Sequence, residues 1–354
     1  YNSSYEEFLF WGDKMALLDD WNDVKAKEAV DPKTLGRQWY EIPARNVNVT
    51  APYNFKLVEP ETDGVIFLTF VLFLPLIASI ICYTVFKEAN TDTLTLIVNG
   101  IALACAVVGF VLTFVRTHEK TFNDGLAFAY FFVIIPYLAI IVGSLILSTL
   151  SKDLDQDTLN VYSSFIAMAC QTISEITLII WFLVKSDNTA QTLKQTFKEN
   201  WKMLMIVFVC AAIVLFILSN LIFGMAYDKI FHLGESNNQG ALTTLIDNPN
   251  AAIRISYIIL LFISSILVAP LCEELCTRQS FFSNNGNKWL ALVMCSIYFG
   301  YIHCGQTGDF IHMPSYIAAG FVLSMTFIVT RGNVTYTWMT HCVTNLVSFI
   351  LIVA

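Results

Sequence analysis

The sequence has few charged residues. Asp, Glu, Lys and Arg make up 14 % of its 354 residues, against roughly 25 % in a typical soluble chain. Hydrophobic residues make up 56 % and include 28 Phe, which is more apolar surface than a soluble fold can bury. This composition excludes disordered, collagen-like and coiled-coil classes, and it predicts a membrane protein.

The chain also lacks a basic surplus and a disulfide framework. Its 20 Lys and Arg stand against 28 Asp and Glu, a net charge of −8, whereas nucleic-acid-binding proteins carry basic surfaces. We therefore expect no nucleic-acid partner. All nine cysteines follow residue 63, mostly within apolar stretches, so we interpret them as small buried hydrophobic residues.

Nine apolar runs follow residue 63. About 20 apolar residues cross the hydrocarbon core of a membrane as a helix, and most of these runs reach that length with few charges. Nothing shows the two-residue alternation of a transmembrane β-barrel. The sequence therefore predicts an all-α fold, a polytopic transmembrane helical bundle with eight to nine spans, because 289–302 is short for a span. The runs are residues 64–86, 94–115, 126–150, 158–184, 203–227, 255–272, 289–302, 313–330 and 333–354.

The segment before the first run differs in kind. Residues 1–63 are polar, contain no cysteine and carry apolar residues at helical spacing, which predicts an amphipathic helix over 5–28. We interpret 1–63 as a soluble or interfacial segment whose helix packs on its own protein, lies on the membrane or docks a partner protein. The residues at helical spacing are Phe8, Trp11, Met15 and Leu18.

Loop charges predict the orientation of the helices. The loops on one side contain eight Lys or Arg residues and those on the other side three, and the richer side of a membrane protein faces the cytoplasm. We therefore expect residues 1–63 in the cytoplasm of a plasma-membrane protein. Residues 64–202 are predicted to be lead-in transmembrane helices, and 203–354 a catalytic transmembrane core.

Polar residues inside the membrane collect in the last hundred residues. Charged residues within spans are costly, so each one suggests a function. On helices, residues four apart share a face, which groups these side chains into three clusters. The clusters are Glu273, Glu274 and Arg278; Phe299 and His303; and His341 and Asn345.

Simple arithmetic places the three clusters at overlapping depths. Lys288 follows a Ser-Asn-Asn-Gly-Asn turn, with Glu273 fifteen residues before it and His303 fifteen after it. At 1.5 Å per residue, both would lie roughly 22 Å from the turn along antiparallel helices. His341 follows the turn at Gly332 by nine residues, or about 14 Å. We expect the clusters to meet within the bilayer.

The chemistry of these groups suits hydrolysis by an activated water. A buried carboxylate can act as a general base toward water, with a histidine beside it to hold that water. A second histidine and an asparagine can donate hydrogen bonds to a developing oxyanion. The clusters contain no persuasive Ser or Cys nucleophile, which points to direct attack by water on an amide.

The three clusters resemble the motifs EExxxR, FxxxH and HxxxN/D of the CAAX protease and bacteriocin-processing enzyme family (CPBP, formerly Abi). These are polytopic intramembrane endopeptidases of the glutamate type. The resemblance covers roughly residues 203–354 and implies that Glu274 and Arg278 form a structural pair. It implies that Glu273 activates water with His303 as its partner, and it requires neither a metal nor a cofactor. The implied catalytic residues are Glu273, His303, His341 and Asn345.

The same resemblance offers several substrates, which the residues do not separate. These are prenylated CAAX C-termini, double-glycine-like leader peptides and transmembrane regulators, so we expect a peptide or membrane-protein substrate among membrane lipids.

Other functions stay open. Two histidines and a glutamate could hold zinc in a membrane protease, although the sequence has no HExxH. A catalytically idle scaffold that positions a partner protein would use the same fold, and a proton-coupled transporter would also bury carboxylates and histidines. Glu175 also has two interpretations: it lines the same cavity as the clusters, or it pairs with a polar group such as Asn99.

Overall fold

A computed structural model of the protein describes residues 64–123, 125–150, 154–232, 234–282 and 288–353. The amphipathic helix expected over 5–28 lies outside the described residues, and so does the rest of 1–63. The described residues form helices joined by short connections and contain no β-strand, which confirms the all-α prediction.

Eleven helices follow one another through the described ranges. All nine apolar runs predicted from the sequence are helical, and two further helices, α5 and α7, lie between runs. The helices are α1 (Val65–Val85), α2 (Thr91–Asn123), α3 (Leu126–Leu150), α4 (Gln156–Lys185), α5 (Asp187–Glu199), α6 (Trp201–Phe231), α7 (Asn237–Thr243), α8 (Ala251–Phe281), α9 (Lys288–Cys304), α10 (Met313–Val329) and α11 (Val334–Val353).

Within the described ranges, seven helices are long and apolar enough to cross a membrane: α1, α2, α3, α4, α6, α8 and α11. Helix α10 is apolar but shorter, and α9 has 17 residues. Large apolar side chains on the outer helices are exposed, among them Val115, Leu150 and Val184. A polytopic helical membrane bundle is therefore confirmed.

The packing of the bundle centres on its C-terminal half. Helix α9 packs along α10, α3 packs between α2 and α4, and α11 packs against α6. The middle of α8, Ala269–Glu274, contacts both α4 and α11. Side chains from α8 and α9 are fully buried there, including Cys272, Cys276 and Cys295. All nine cysteines are free; four are buried, four are half-buried and Cys210 is exposed, so the expectation of buried cysteines is confirmed only for the buried four.

Helix α5 occupies a stretch that the sequence analysis treated as a loop between spans. Its buried face carries Thr189, Thr192 and Thr196. The Asn333 amide at the start of α11 donates to Thr196 Oγ1 at 2.9 Å, so the helix is docked by hydrogen bonds. This threonine face is polar, and for that reason hydropathy did not reveal it.

The connection from α9 to α10 is held against α1. Ser79 Oγ donates to the Gly305 carbonyl, and Tyr83 Oη donates to the Gln306 carbonyl at 3.1 Å. Gly308 then turns the chain with φ +73°, and a Cβ built there would lie 2.4 Å from the Tyr83 ring. Both the backbone conformation and the contact require glycine.

We expect Gly308→Ala to destabilise the protein. The left-handed conformation costs a residue with a Cβ about 1–2 kcal/mol, and the Tyr83 ring must also move. Thermal unfolding in detergent should show a lower Tm. Gly240→Ala in α7 is the control, because a Cβ at Gly240 meets nothing within 4 Å. Equal Tm values for the two variants would contradict the packing of this connection.

Candidate active site

The three predicted clusters meet around one cavity of about 1020 Å³. Helix α8 supplies Glu273, α9 supplies His303, and α11 supplies His341 and Asn345. The rest of the wall is largely apolar and comes mainly from α3, α4, α6, α8, α10 and α11. The structure thus brings together the side chains that the depth arithmetic placed at one level.

Glu273 lies between the two histidines. Its Oε2 atom is 3.4 Å from His303 Nε2 and 3.8 Å from His341 Nε2. All three side chains are mostly buried, with 8–16 % of each exposed. Both distances exceed a good hydrogen bond of 2.7–3.2 Å, so the three groups face a common point without closing on one another.

Glu274 points the other way, into a fully buried ion pair. Its Oε1 accepts from Arg278 Nη1 at 3.0 Å, and both side chains are 0 % exposed. Arg278 Nη1 also donates to Thr277 Oγ1 at 2.6 Å, and Nη2 donates to the Gly320 carbonyl of α10 at 3.0 Å. The expected pair therefore connects α8 with α10.

The same carboxylate also fixes His341. Glu274 Oε1 lies 3.1 Å from His341 Nδ1. Because that oxygen already accepts from Arg278, it acts as an acceptor again, and His341 Nδ1 is the donor. This leaves His341 Nε2 as the ring nitrogen that faces Glu273. The sequence predicted the Glu274–Arg278 pair but not its bond to His341.

Phe299 is the packing partner that the three clusters share. Its ring centroid lies 4.6 Å from that of His303 and 5.7 Å from that of His341. The Arg278 guanidinium carbon lies 4.9 Å from the same ring, within the range of a cation–π contact. On the other side His303 stacks on Tyr316, with centroids 4.8 Å apart. Tyr316 lies outside all three motifs and was not predicted from the sequence.

A break in the hydrogen bonds of α8 explains where Asn345 binds. The helix has wide turns with i to i+5 hydrogen bonds over Ile263–Val268, and the Ala269 N–H bonds to the Ser264 carbonyl. In that pattern the Ser265 carbonyl would need the N–H of Pro270, which proline lacks. Asn345 Nδ2 donates to this carbonyl instead, at 2.8 Å. Asn345 therefore ties α11 to α8 just before Glu273.

Glu175 also lines the cavity, from α4. Its carboxylate accepts from Gln171 Nε2 at 3.0 Å, one helical turn away. Asn99, the alternative partner considered from the sequence, instead accepts from Tyr137 Oη at 2.8 Å. A lone charge in a span was the signal for Glu175, but its neighbours could not be read from the sequence.

No group of three or more His, Cys, Asp or Glu side chains in the described ranges has an arrangement that could hold a metal ion.

Comparison with known proteins identifies the family. The model of the family described as type II CAAX prenyl endopeptidase Rce1-like matches residues 255–347, a range that contains all three clusters. An uncharacterized protein of Mycoplasma capricolum subsp. capricolum is 31 % identical over 313 residues, which cover 87 % of this chain and 92 % of that protein. The chain belongs to the CAAX protease family. No solved structure matches it.

Membership of the CAAX protease family confirms the resemblance drawn from the motifs. It places the chain among proteases that act on a peptide or protein substrate in a membrane, and the apolar helices make it an integral, multi-pass membrane protein.

We expect Arg278→Met to unfold the site. Removal of one partner from a buried ion pair leaves an unpaired charge in low dielectric, at a cost of about 3–5 kcal/mol. The measurement is the Tm and the folded fraction in detergent. Arg254→Met serves as the control, because the side chain of Arg254 has one long hydrogen bond among the described residues, to the Asn248 carbonyl at 3.5 Å. A stability for Arg278→Met equal to that of the control would mean that the pair does not hold the helices together.

Asn345→Ala should also lower the Tm, for a different reason. It leaves the Ser265 carbonyl without its partner, and an unsatisfied buried group costs about 1–3 kcal/mol. Ser348→Ala is the matched control, since Ser348 lines the same cavity from the same helix. If both variants unfold at the wild-type temperature, the bond from Asn345 to α8 carries no stability.

Proposed function

We propose that this CAAX-family protein is an intramembrane endopeptidase in which Glu273 activates the water that hydrolyses a peptide bond. The observation that carries the proposal is the position of Glu273 Oε2, 3.4 Å from His303 Nε2 and 3.8 Å from His341 Nε2 on the cavity wall. A water molecule at the point these atoms share would contact the carboxylate and a histidine together.

In the proposed reaction, Glu273 is the general base and His303 orients the water. Glu273 takes a proton from the water while the water oxygen bonds to the carbonyl carbon of the substrate. The carbonyl π electrons move to oxygen, which becomes an oxyanion. When the carbon–nitrogen bond breaks, Glu273 returns the proton to the leaving nitrogen, and the products are a carboxylic acid and an amine.

His341 is the proposed donor to the oxyanion. Its Nδ1 proton is committed to Glu274 at 3.1 Å, so donation from Nε2 requires the doubly protonated ring. The carboxylates of Glu273 and Glu274 lie on the two sides of this ring. A charged donor in a water-poor site stabilises an oxyanion more than a neutral one does.

Asn345 is the second proposed donor. One of its two Nδ2 hydrogens is used on the Ser265 carbonyl, and the other is free to bond the oxyanion, since a carboxamide nitrogen has two donors. The bond to α8 then orients the amide, so Asn345 serves both the backbone and the reaction.

The proposed setting follows the loop charges and the division of the chain. We place residues 1–63 in the cytoplasm and the protein in the plasma membrane. We take 203–354 as the catalytic core, with α3 and α4 of the lead-in part completing the cavity wall. The largely apolar wall suits a substrate segment that is itself apolar, such as a lipidated C-terminus, a leader peptide or a transmembrane segment.

Cleavage of a peptide library by purified protein tests the proposal. We expect Glu273→Gln to lower cleavage by at least about a hundredfold, the size of a lost general base, with an unchanged Tm. Glu199→Gln, an exposed position on α5, should cleave like the wild type, and product masses identify the bond.

Three outcomes would contradict the proposal. Full cleavage by Glu273→Gln would remove Glu273 from the reaction. Activity that disappears with a chelator and returns with Zn²⁺ would favour a zinc protease. Absence of cleavage by the wild type, with binding intact, would favour the scaffold.

A further inference from the structure

Glu175 is a buried carboxylate that the proposed reaction does not use. The residue is 2 % exposed, and it lines the cavity that contains Glu273. Gln171 donates to its Oε1 atom at 3.0 Å. No group among the described residues forms a hydrogen bond with the other carboxylate oxygen, Oε2. Gln171 therefore orients the carboxylate through Oε1, and Oε2 can accept a hydrogen bond from a bound substrate.

The position of Glu175 relates it to the reaction site. Helix α4 packs against the Ala269–Glu274 stretch of α8, which carries Glu273. The cavity face of α4 is a stripe of residues three or four apart, which share one side of a helix. A substrate in the cavity would therefore lie along this stripe and Glu273 at once. The stripe consists of Ser164, Ala167, Met168, Gln171 and Glu175.

The charged groups of the cavity wall are mainly acidic. Glu175, Glu235 and Glu273 line it, and no Lys or Arg does among the side chains that the structure describes. Two of the lining histidines, His303 and His341, face Glu273 instead of Glu175. The third lining histidine, His312, faces Asp309, 2.6 Å from Nδ1 to Oδ1.

We propose that Glu175 is a substrate-specificity residue whose Oε2 atom binds a positively charged Lys or Arg side chain of the peptide substrate. The inference rests on the proposed function, since it assumes that a peptide occupies the cavity. A carboxylate without a cation in low dielectric is costly, and a cation brought by the substrate restores the pairing. The largely apolar wall receives the neighbouring residues of the substrate.

The same charges act against acidic substrates. A Glu side chain or a free C-terminal carboxylate near Glu175 would meet like charge from the wall, and like charges at close range cost affinity. The structure therefore favours a cleavage site inside an apolar segment that carries one cationic residue, over a site whose terminal carboxylate reaches this wall.

Binding to the Glu273→Gln protein tests the inference without any need for cleavage. The probes are labelled apolar peptides from the library, each made in four forms that differ at one position: Lys, Arg, Gln or Glu. We expect the Lys and Arg forms to bind at least tenfold more tightly than the Gln form, and the Glu form to bind more weakly than Gln.

Changes at Glu175 then assign the preference to this residue. Glu175→Gln in the same background should bring the Lys-to-Gln affinity ratio close to one, and Glu175→Lys should favour the Glu peptide. Glu235→Gln is the control for general charge, because it also removes an acidic group from the wall but should keep the preference. Glu175→Gln should not lower the Tm, because it removes a buried charge that has no cationic partner among the described residues.

Cleavage by otherwise wild-type protein separates this inference from the proposed function. Glu175→Gln should reduce kcat/KM for the Lys peptide at least tenfold and leave the Gln peptide unaffected, whereas Glu273→Gln removes cleavage of both. Equal binding of Lys, Gln and Glu peptides by the Glu273→Gln protein would overturn the inference. An equal loss of kcat/KM for all peptides in Glu175→Gln would mean that Glu175 has a structural role and does not select the substrate. Absence of cleavage with the charge preference intact would overturn only the proposed function.

Discussion

One buried guanidinium fixes the arrangement of four helices. Arg278 on α8 donates to Glu274 and to the Gly320 carbonyl of α10, and its guanidinium contacts the Phe299 ring of α9. Through Glu274 it also reaches His341 on α11. A charge in this environment is tolerated only with its partners in place. The absence of a side chain at Gly320 matters as well, because a Cβ there would lie 2.8 Å from Phe299 Cβ.

Two adjacent carboxylates thereby acquire different environments. Successive residues of a helix point about 100° apart, so Glu273 and Glu274 face different sides of α8 and approach His341 at different ring nitrogens. Glu274 is closed inside the ion pair, whereas Glu273 faces the cavity and two imidazole nitrogens. The ion pair of Glu274 with Arg278 holds the helices together, and it leaves the Glu273 carboxylate on the cavity wall.

The sequence allowed prediction of those features that depend on spacing. Residues four apart share a helix face, and equal distances from a turn bring Glu273 and His303 to one level, so their meeting needed no tertiary information. Contacts between distant parts of the chain could not be predicted from the sequence. The bond from Asn345 to the Ser265 carbonyl depends on a missing N–H five residues further along α8, and the stacking of Tyr316 on His303 depends on how α10 packs. Helix α5 was missed because its buried face is made of threonines. The roles of the site residues remain proposals.

In α8, the direction in which each side chain points depends on the number of residues in its wide turns. They flank the Ala269–Glu274 stretch on both sides, over Ile263–Val268 and Leu275–Phe281, and each wide turn accommodates more chain per turn than a regular helix. Loss of one residue that the wide turns do not absorb would rotate everything beyond it by about 100°. Glu274 would then point where Glu273 points now, so its charge would leave the ion pair with Arg278 and face the cavity. A change in the length of this helix that its wide turns do not absorb would therefore move both carboxylates to the wrong partners.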